Sequence, residues 1–373
     1  MKFTIPKKQF ADCLTALSRV VERRNTYPIL ANVLIIAEQD SLRLRATDLD
    51  IEISQEIEAA VETTGTCTAE ARLLADIVRK LPDGDVTFEH DTTKMAAVIK
   101  AGRSRFNLAT LSPDQFPDLK SGQFTNRFTI AAKDLLGILN KVSFAISTEE
   151  TRYYLNGVYL HAASSDAGQP VLRAVATDGH RMARCEIAIP DGAAGIPGVI
   201  VPRKTVGEFA RLLDDATDEV AVEVSDSKIR VTSGSTVLLS KLIEGTFPDY
   251  QRVTPKLSNT VAIVDAKELS RALERVSIMG TDKGGKAVKL KFEDNLLELN
   301  VSNPDHGSSD EDMAATWDNS ALEIGFNARY LQDVLGNLSG KTVSLSLQDA
   351  GSPARISSDD DPGSLFVLMP MRV

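Results

Sequence analysis

Cysteine is scarce: Cys13, Cys67 and Cys185 are odd in number and widely separated in 373 residues. That argues against a disulfide framework or a cysteine zinc site and fits a reducing cytoplasm. The four histidines, His90, His161, His180 and His306, show no metal-ligand spacing, so neither metal nor cofactor is expected. No apolar run has the length of a membrane span. The opening Met1-Lys-Phe-Thr-Ile-Pro-Lys-Lys8 lacks the apolar stretch of a secretory signal. No low-complexity linker is long enough to let domains tumble independently. Base is outweighed by acid: the net charge of −10 taken alone argues against nucleic acid.

What is present is a soluble globular composition, 43% hydrophobic and 25% charged. Single cores stop growing near ~250–300 residues, so two or three cores are expected. The chain is also repetitive. Residues 5–17, 130–142 and 264–276 each carry a Lys (Lys8, Lys133, Lys267) two residues before an apolar anchor (Phe10, Leu135, Leu269). Four and seven residues after the anchor stand Leu14 and Leu17, Leu139 and Val142, or Leu273 and Val276. This spacing makes one buried helical stripe with the Lys on the opposite face. Recurrence at a third of the chain length makes it a repeat. A second helix recurs, opened by Arg72, Arg203 or Arg329 and carrying Leu81, Leu212 or Leu338 nine residues later. Pro202 suits the first turn of one copy and Asn327 the N-cap of another.

Short alternating runs at 42–45, 51–54, 220–224, 288–292 and 343–347 predict half-buried antiparallel strands. Phe-Pro-Asp at 116–118 returns at 247–249, closing the first two repeats. The expected layout is three α+β domains, 1–122, 128–250 and 258–373, each with two helices backed by antiparallel sheets.

The charge is segregated. The six helical stretches 6–24, 69–81, 131–147, 202–213, 265–279 and 327–338 hold 17 Lys and Arg against 10 Asp and Glu. Their net of +7 leaves −17 for the rest of the chain. Solvated helix faces could explain this, but a repeat sets the basic residues in equivalent places, where equivalent helices can line one surface.

Eight ordered motifs carry a resemblance over the whole length. They are Met1-Lys-Phe-Thr4, Arg103-Ser-Arg-Phe106, Arg152-Tyr-Tyr-Leu-Asn-Gly157, Ala176-Thr-Asp-Gly-His-Arg181, Val201-Pro-Arg-Lys204, Phe247-Pro-Asp-Tyr250, Glu323-Ile-Gly-Phe-Asn327 and Met369-Pro-Met-Arg372. The set resembles the bacterial sliding-clamp family, the beta subunits of DNA polymerase III. The resemblance implies clamp domains assembled head-to-tail into a six-domain homodimeric ring, with twelve helices lining the hole. Helices ~10 Å wide give a circumference of ~120 Å and a hole of ~28 Å, enough for a hydrated duplex. Such a ring holds DNA by topology, and weak, sequence-blind phosphate attraction suffices inside it.

The resemblance further implies that Arg24, Arg72, Arg203, Tyr153 and Tyr154 face DNA, with position 149 in a loop at the ring face. Glu149 replaces the family's neutral amide, and a carboxylate repels phosphate. Leu155, Thr177, Gly179, Arg181, Met182, Pro248, Arg252, Val253 and the tail Val367, Leu368, Met369, Pro370, Met371, Arg372 match the partner-binding pocket. Methionines and aliphatics suit an adaptable apolar groove, and Arg181, Arg252 and Arg372 could orient a peptide's polar end. Phe106 and Leu108 are implied to meet Ile278 and Met279 across the subunit boundary. The implied partners are double-stranded DNA, a second copy, the polymerase alpha subunit, the clamp-loader delta subunit, and other clamp-binding polymerases and repair proteins.

Enzymatic readings are weak. Gly280–Lys286 begins like a phosphate-binding loop, but Ala287 stands where Ser or Thr is required, and a helix precedes where a strand should. Asp178 and His180 could form an acid–base pair, yet an Asp-Gly turn explains them better and no nucleophile accompanies them. The expectation is a non-enzymatic processivity factor. The alternative from another class is a repeat-built scaffold that binds peptides and not DNA.

Overall fold

A computed structural model describes residues 1–22, 27–120, 122–216, 218–280 and 287–372. Among them six α-helices stand in the expected places: α1 (Lys7–Val20), α2 (Ala71–Lys80), α3 (Ala132–Ser143), α4 (Arg203–Asp214), α5 (Ala266–Val276) and α6 (Ala328–Asn337). The stripe is buried in every copy. Phe10, Leu14 and Leu17, Leu135, Leu139 and Val142, and Leu269, Leu273 and Val276 are each at most 2% exposed. Lys8, Lys133 and Lys267 are exposed on the opposite faces. Side chains close three helix starts: Glu70, Asp265 and Asn327 each accept two backbone N–H groups. Pro202 is not in a first turn. It ends the strand Val199–Pro202, held extended by pairing with Gly157, and α4 starts one residue later.

All five predicted alternating runs fall in antiparallel strands, the last overrunning its strand by one residue. The chain packs into two compact units that do not follow sequence order: residues 1–132 with 207–242, and residues 133–206 with 243 onward.

The first unit holds one 13-stranded sheet. Its strand Thr236–Lys241 pairs with Ile51–Glu58, Leu238 opposite Ile53, and this pairing continues an N-terminal sheet into a later part of the chain. Phe3 stacks on Phe88 (ring centroids 5.0 Å apart) and meets Phe10 edge-on at 5.9 Å, anchoring α1 to the sheet.

The second unit holds an eight-stranded and a four-stranded sheet. In the larger, Arg181–Ala188 pairs with the last strand, Ser364–Leu368, Met182 opposite Val367. Trp317, 2% exposed, stacks on Phe292 with centroids 5.1 Å apart and donates its indole N–H to the Ser320 carbonyl. Each unit thus contains a sheet continued across sequence segments that are far apart.

All three cysteines are buried and unpaired, and burial pushes the thiols of Cys13 and Cys67 up to about 12. No helix among the described residues is long and apolar enough to cross a membrane.

Candidate functional site

The predicted pocket residues gather in the second unit. Leu155, Met182 and Val367 form a buried apolar cluster with Val175, Ile200, Phe247 and Tyr250. Met182 and Val367 face the same way because they are directly paired on adjacent strands. Around this floor stand exposed residues: Pro248, Arg252, Val253 at 58% and Met369 at 43%. Exposed apolar side chains beside a buried apolar floor make a surface that can accept another apolar chain. The tail is tied at two points: Met369 N–H donates to the His180 carbonyl and Met371 N–H to the Gly325 carbonyl, both 2.9 Å.

One member of the predicted set faces elsewhere. Leu368 is fully buried, and strand alternation turns it to the sheet face opposite Val367. It belongs to the core, not to the groove.

The turn at 177–181 is a closed device. Asp178 Oδ1 accepts the N–H groups of His180 (2.9 Å) and Arg181 (3.0 Å). Thr177 Oγ1 donates to the Arg181 carbonyl (2.7 Å) and accepts the Gly179 N–H (3.1 Å). Gly179 has φ +89°, a left-handed conformation natural to glycine, and a Cβ there would meet Arg152 Nη1 at 2.5 Å. Asp178 is therefore a turn-former and not half of an acid–base pair.

Arg181 corrects the sequence reading. Its Nε donates to Asp178 Oδ2 (3.1 Å), Nη1 to Asp333 Oδ2 and Nη2 to the Phe144 carbonyl (2.8 Å). The guanidinium lies over Phe144 at 5.1 Å and Tyr330 at 4.4 Å from the ring centroids. With three acceptors, two rings and an 11% exposed side chain, Arg181 fastens the turn to α6 and is not free to orient a ligand. Arg252 is the available rim cation: its side chain is 85% exposed and pairs with Asp249 at 2.9 Å. Arg372 is exposed at the tail.

Next to the groove lies the predicted DNA-facing loop. Tyr153 is 55% exposed; Tyr154, edge-on to it with centroids 5.8 Å apart, packs against the groove floor. Tyr153 can meet a ligand, whereas Tyr154 mainly supports the floor. Glu149 forms a two-point ion pair with Arg152, both contacts 2.8 Å. The Arg152 hydrogen bond, with its charge, holds the Glu149 carboxyl below the usual range despite some desolvation. The neutralised pair lessens the repulsion expected of Glu149. Asn156 Nδ2 donates to the Glu149 carbonyl (3.1 Å), and the Asn156 carbonyl accepts the Arg203 N–H (3.0 Å). Loop and α4 start are so linked, with the Arg203 side chain exposed. Arg72 belongs to the first unit, where Nη2 donates to the Val21 carbonyl (2.7 Å) and the side chain is half-buried. Arg24 lies outside the described residues.

Two open strand edges complete the inventory. In the first unit, Ser104–Leu111 pairs with Ala96–Ala101 on one side; on the other only Thr110 and Leu111 are paired. Phe106 is 39% exposed there and Arg103 and Arg105 flank it, but Leu108 is 7% exposed. Leu108 shares the strand face of Phe106 but is covered by its own unit, so only its backbone is available to a partner. In the second unit, Gly307–Ala314 is the outer strand of the four-stranded sheet and carries Asp310, Glu311 and Asp312. Ile278 is 77% exposed, and the Met279 carbonyl accepts from Asn303 Nδ2 (2.9 Å). The phosphate-loop-like stretch lies, but for Gly280, outside the described residues.

Sequence reasoning missed Phe247 and Tyr250 as groove floor, although the repeated Phe-Pro-Asp had marked that segment. Tyr330 and Asp333 on α6 carried no local signal, because their role depends on a partner about 150 residues away in the chain.

Three family models match in succession: DNA polymerase III beta subunit N-terminal domain at residues 1–120, central domain at 129–249 and C-terminal domain at 251–372. The beta sliding clamps of Caulobacter vibrioides and Pseudomonas aeruginosa are 45% and 37% identical, each alignment covering all of both chains. A sliding clamp (DNA polymerase III subunit beta) from Bartonella birtlesii bound to griselimycin superposes with TM-score 0.96 at 47% identity, over all of both chains. Pol III beta from Caulobacter crescentus gives 0.95 at 44%, with the same coverage. The chain belongs to the sliding clamps, the beta subunits of DNA polymerase III.

Proposed function

We propose that this clamp acts in the cytoplasm as a homodimeric ring of three domains per chain, residues 1–122, 128–250 and 258–373, closed around duplex DNA. The role is non-catalytic: the ring tethers the polymerase to its template. The observation that carries ring closure is the pair of open strand edges with opposite charge, Arg103 and Arg105 beside one, Asp310 and Asp312 on the other, where Glu311 is engaged by Arg275 of its own chain. Pairing them head-to-tail between two copies removes both unpaired edges and covers Phe106 and Ile278.

Inside the ring, Arg24, Arg72, Arg203 and Tyr153 supply sequence-blind contacts to phosphate and sugar, with Tyr154 supporting the loop and Glu149 engaged by Arg152. The groove over Leu155, Met182 and Val367, rimmed by Pro248, Arg252, Val253 and the tail, takes an apolar peptide segment. The polymerase alpha subunit, the clamp-loader delta subunit and other polymerases and repair proteins would share it in turn. The adjoining 177–181 turn and Arg181 shape the groove without binding the peptide's charge.

The test is retention after loading with the cognate loader and ATP, on a nicked circular plasmid and on the same plasmid linearised. Retention on the circle with rapid loss from the line is expected of a ring held by topology. Equal retention on both means ordinary surface binding and overturns the proposal.

A further inference from the structure

A second cavity in the same unit, of about 360 Å³, shares only Tyr250 with the groove floor and none of its walls with the DNA-facing loop. Its walls include Arg173, Arg184, Arg355, Lys256, Asp166 and Tyr250. Arg173 is 2% exposed and fully engaged: Nε to Glu186 (2.7 Å), Nη1 to the Tyr250 hydroxyl (3.0 Å), Nη2 to the Ser164 carbonyl (2.7 Å). Arg184, 7% exposed, is not. Its Nη groups reach Asp166 only at 3.3 and 3.4 Å, and its buried Nε makes no hydrogen bond, the Glu186 carboxylate standing off at 3.9 Å. Arg355 repeats the pattern, with Nη2 to Asp166 at 3.5 Å and a buried Nε without a partner.

Two features set this cluster apart from an ordinary ion-pair network. Charge-assisted N–H···O bonds settle near ~2.7–2.9 Å, so three contacts of 3.3–3.5 Å to one carboxylate are slack. That carboxylate, Asp166, is itself 63% exposed, so water competes for it. A buried guanidinium N–H left unpaired is costly, and two neighbours doing so imply an acceptor that completes them. Four cations (Arg173, Arg184, Arg355, Lys256) stand against two carboxylates (Asp166, Glu186), leaving a local charge of +2 in a chain whose net charge is −10.

We propose that this cavity binds a phosphate-type dianion, carried by a small molecule, between Arg184, Arg355 and Lys256, with Asp166 as the weak internal occupant it displaces. Phosphate oxygens match the planar fork of arginine, and a dianion neutralises the surplus where a single carboxylate does not. Arg173 forms the fixed back wall.

The experiment is calorimetric titration of the full chain with inorganic pyrophosphate in low-salt buffer, with orthophosphate and a nucleoside triphosphate as further arms to show how the dianion is carried. The variants are Arg355→Gln and Lys256→Gln at the accessible rim, and Asp166→Asn, with Trp317 fluorescence confirming the fold. One saturable site per chain is expected, weakened ~10-fold by Arg355→Gln through loss of a charge-assisted bond. Asp166→Asn should bind more tightly than wild type, because the competing carboxylate is gone; a purely structural counter-ion would give no such gain. Absence of saturable binding in both wild type and Asp166→Asn overturns the proposal, as does binding that the two rim variants leave unchanged.

Discussion

Replacing Arg181 by Lys separates a fastening role from a ligand-binding one. Lysine keeps the charge but presents a point donor in place of a planar fork. It cannot serve Asp178, Asp333 and the Phe144 carbonyl together, nor lie flat over Phe144 and Tyr330. The Asp178 contact is well buried, and a hydrogen bond of that kind to a charged group contributes about 1.5–3 kcal/mol. Asp333 is 36% exposed, so solvent screening holds its share to ~1 kcal/mol or less. Loss of the ring contacts adds ~0.5–1 kcal/mol. If lysine recovers one of the polar contacts, the net cost is about 2–3 kcal/mol. With a urea dependence of ~2–3 kcal/mol per molar, the unfolding midpoint should fall by ~1 M. The assay is simple because the chain has a single tryptophan, Trp317, buried in the same unit as Arg181. Urea titration followed by its fluorescence reads that unit alone. Peptide affinity, measured in parallel by anisotropy, should change little under native conditions. An unmoved Trp317 transition with a tenfold or greater loss of peptide affinity would refute the reasoning and return Arg181 to the ligand.

Further outcomes follow from the same geometry. Leu269→Ala should destabilise the second unit by about 2–5 kcal/mol, read by Trp317, because it opens a cavity in the fully buried stripe of α5. Phe106→Arg should shift the chain from dimer to monomer in sedimentation at micromolar concentration; an unaltered dimer would rule out that edge as the closure surface. The wild-type dimer should loosen as salt is raised, since arginines face carboxylates across the proposed junction. His161, whose Nε2 lies 3.1 Å from the Tyr250 hydroxyl, has its pKa held below the ordinary 6.5, chiefly by desolvation and despite the Ala162 carbonyl. Below pH 6.5 the unfolded chain takes up a proton that the folded chain refuses. Stability should therefore fall as pH drops from 6.5 toward the folded value, and His161→Gln should flatten that slope in Trp317-monitored unfolding.

Much of the architecture was legible in residue order. Helical stripes follow from a 3.6-residue period, which each helix satisfies locally, so all three copies of the first repeat could be read without knowing what they pack against. The Asp178-Gly179 turn was readable for the same reason: side chain and backbone close within four residues. Pro202 misled because its helix-start preference was overruled by pairing with Gly157, some 45 residues earlier.

What only tertiary structure decided lies between residues distant in sequence. Strand Thr236–Lys241 joins Ile51–Glu58, and Arg181–Ala188 joins Ser364–Leu368; no local pattern foretells which strand edges meet. Which apolar positions are covered was likewise undecided until packing set it, so Leu108 and Leu368, apolar and well placed by resemblance, proved to be core. Charge was the least legible property. Arg181, Arg184, Arg252 and Arg355 are equivalent as letters, yet one is fastened between two rings, two hold a buried Nε without a partner, and one is exposed at a rim beside Asp249. The difference is set by the acceptors that folding brings within 3–4 Å: Asp333 lies 152 residues from Arg181 and Asp166 lies 189 from Arg355, whereas the partner of Arg252 is its near neighbour Asp249.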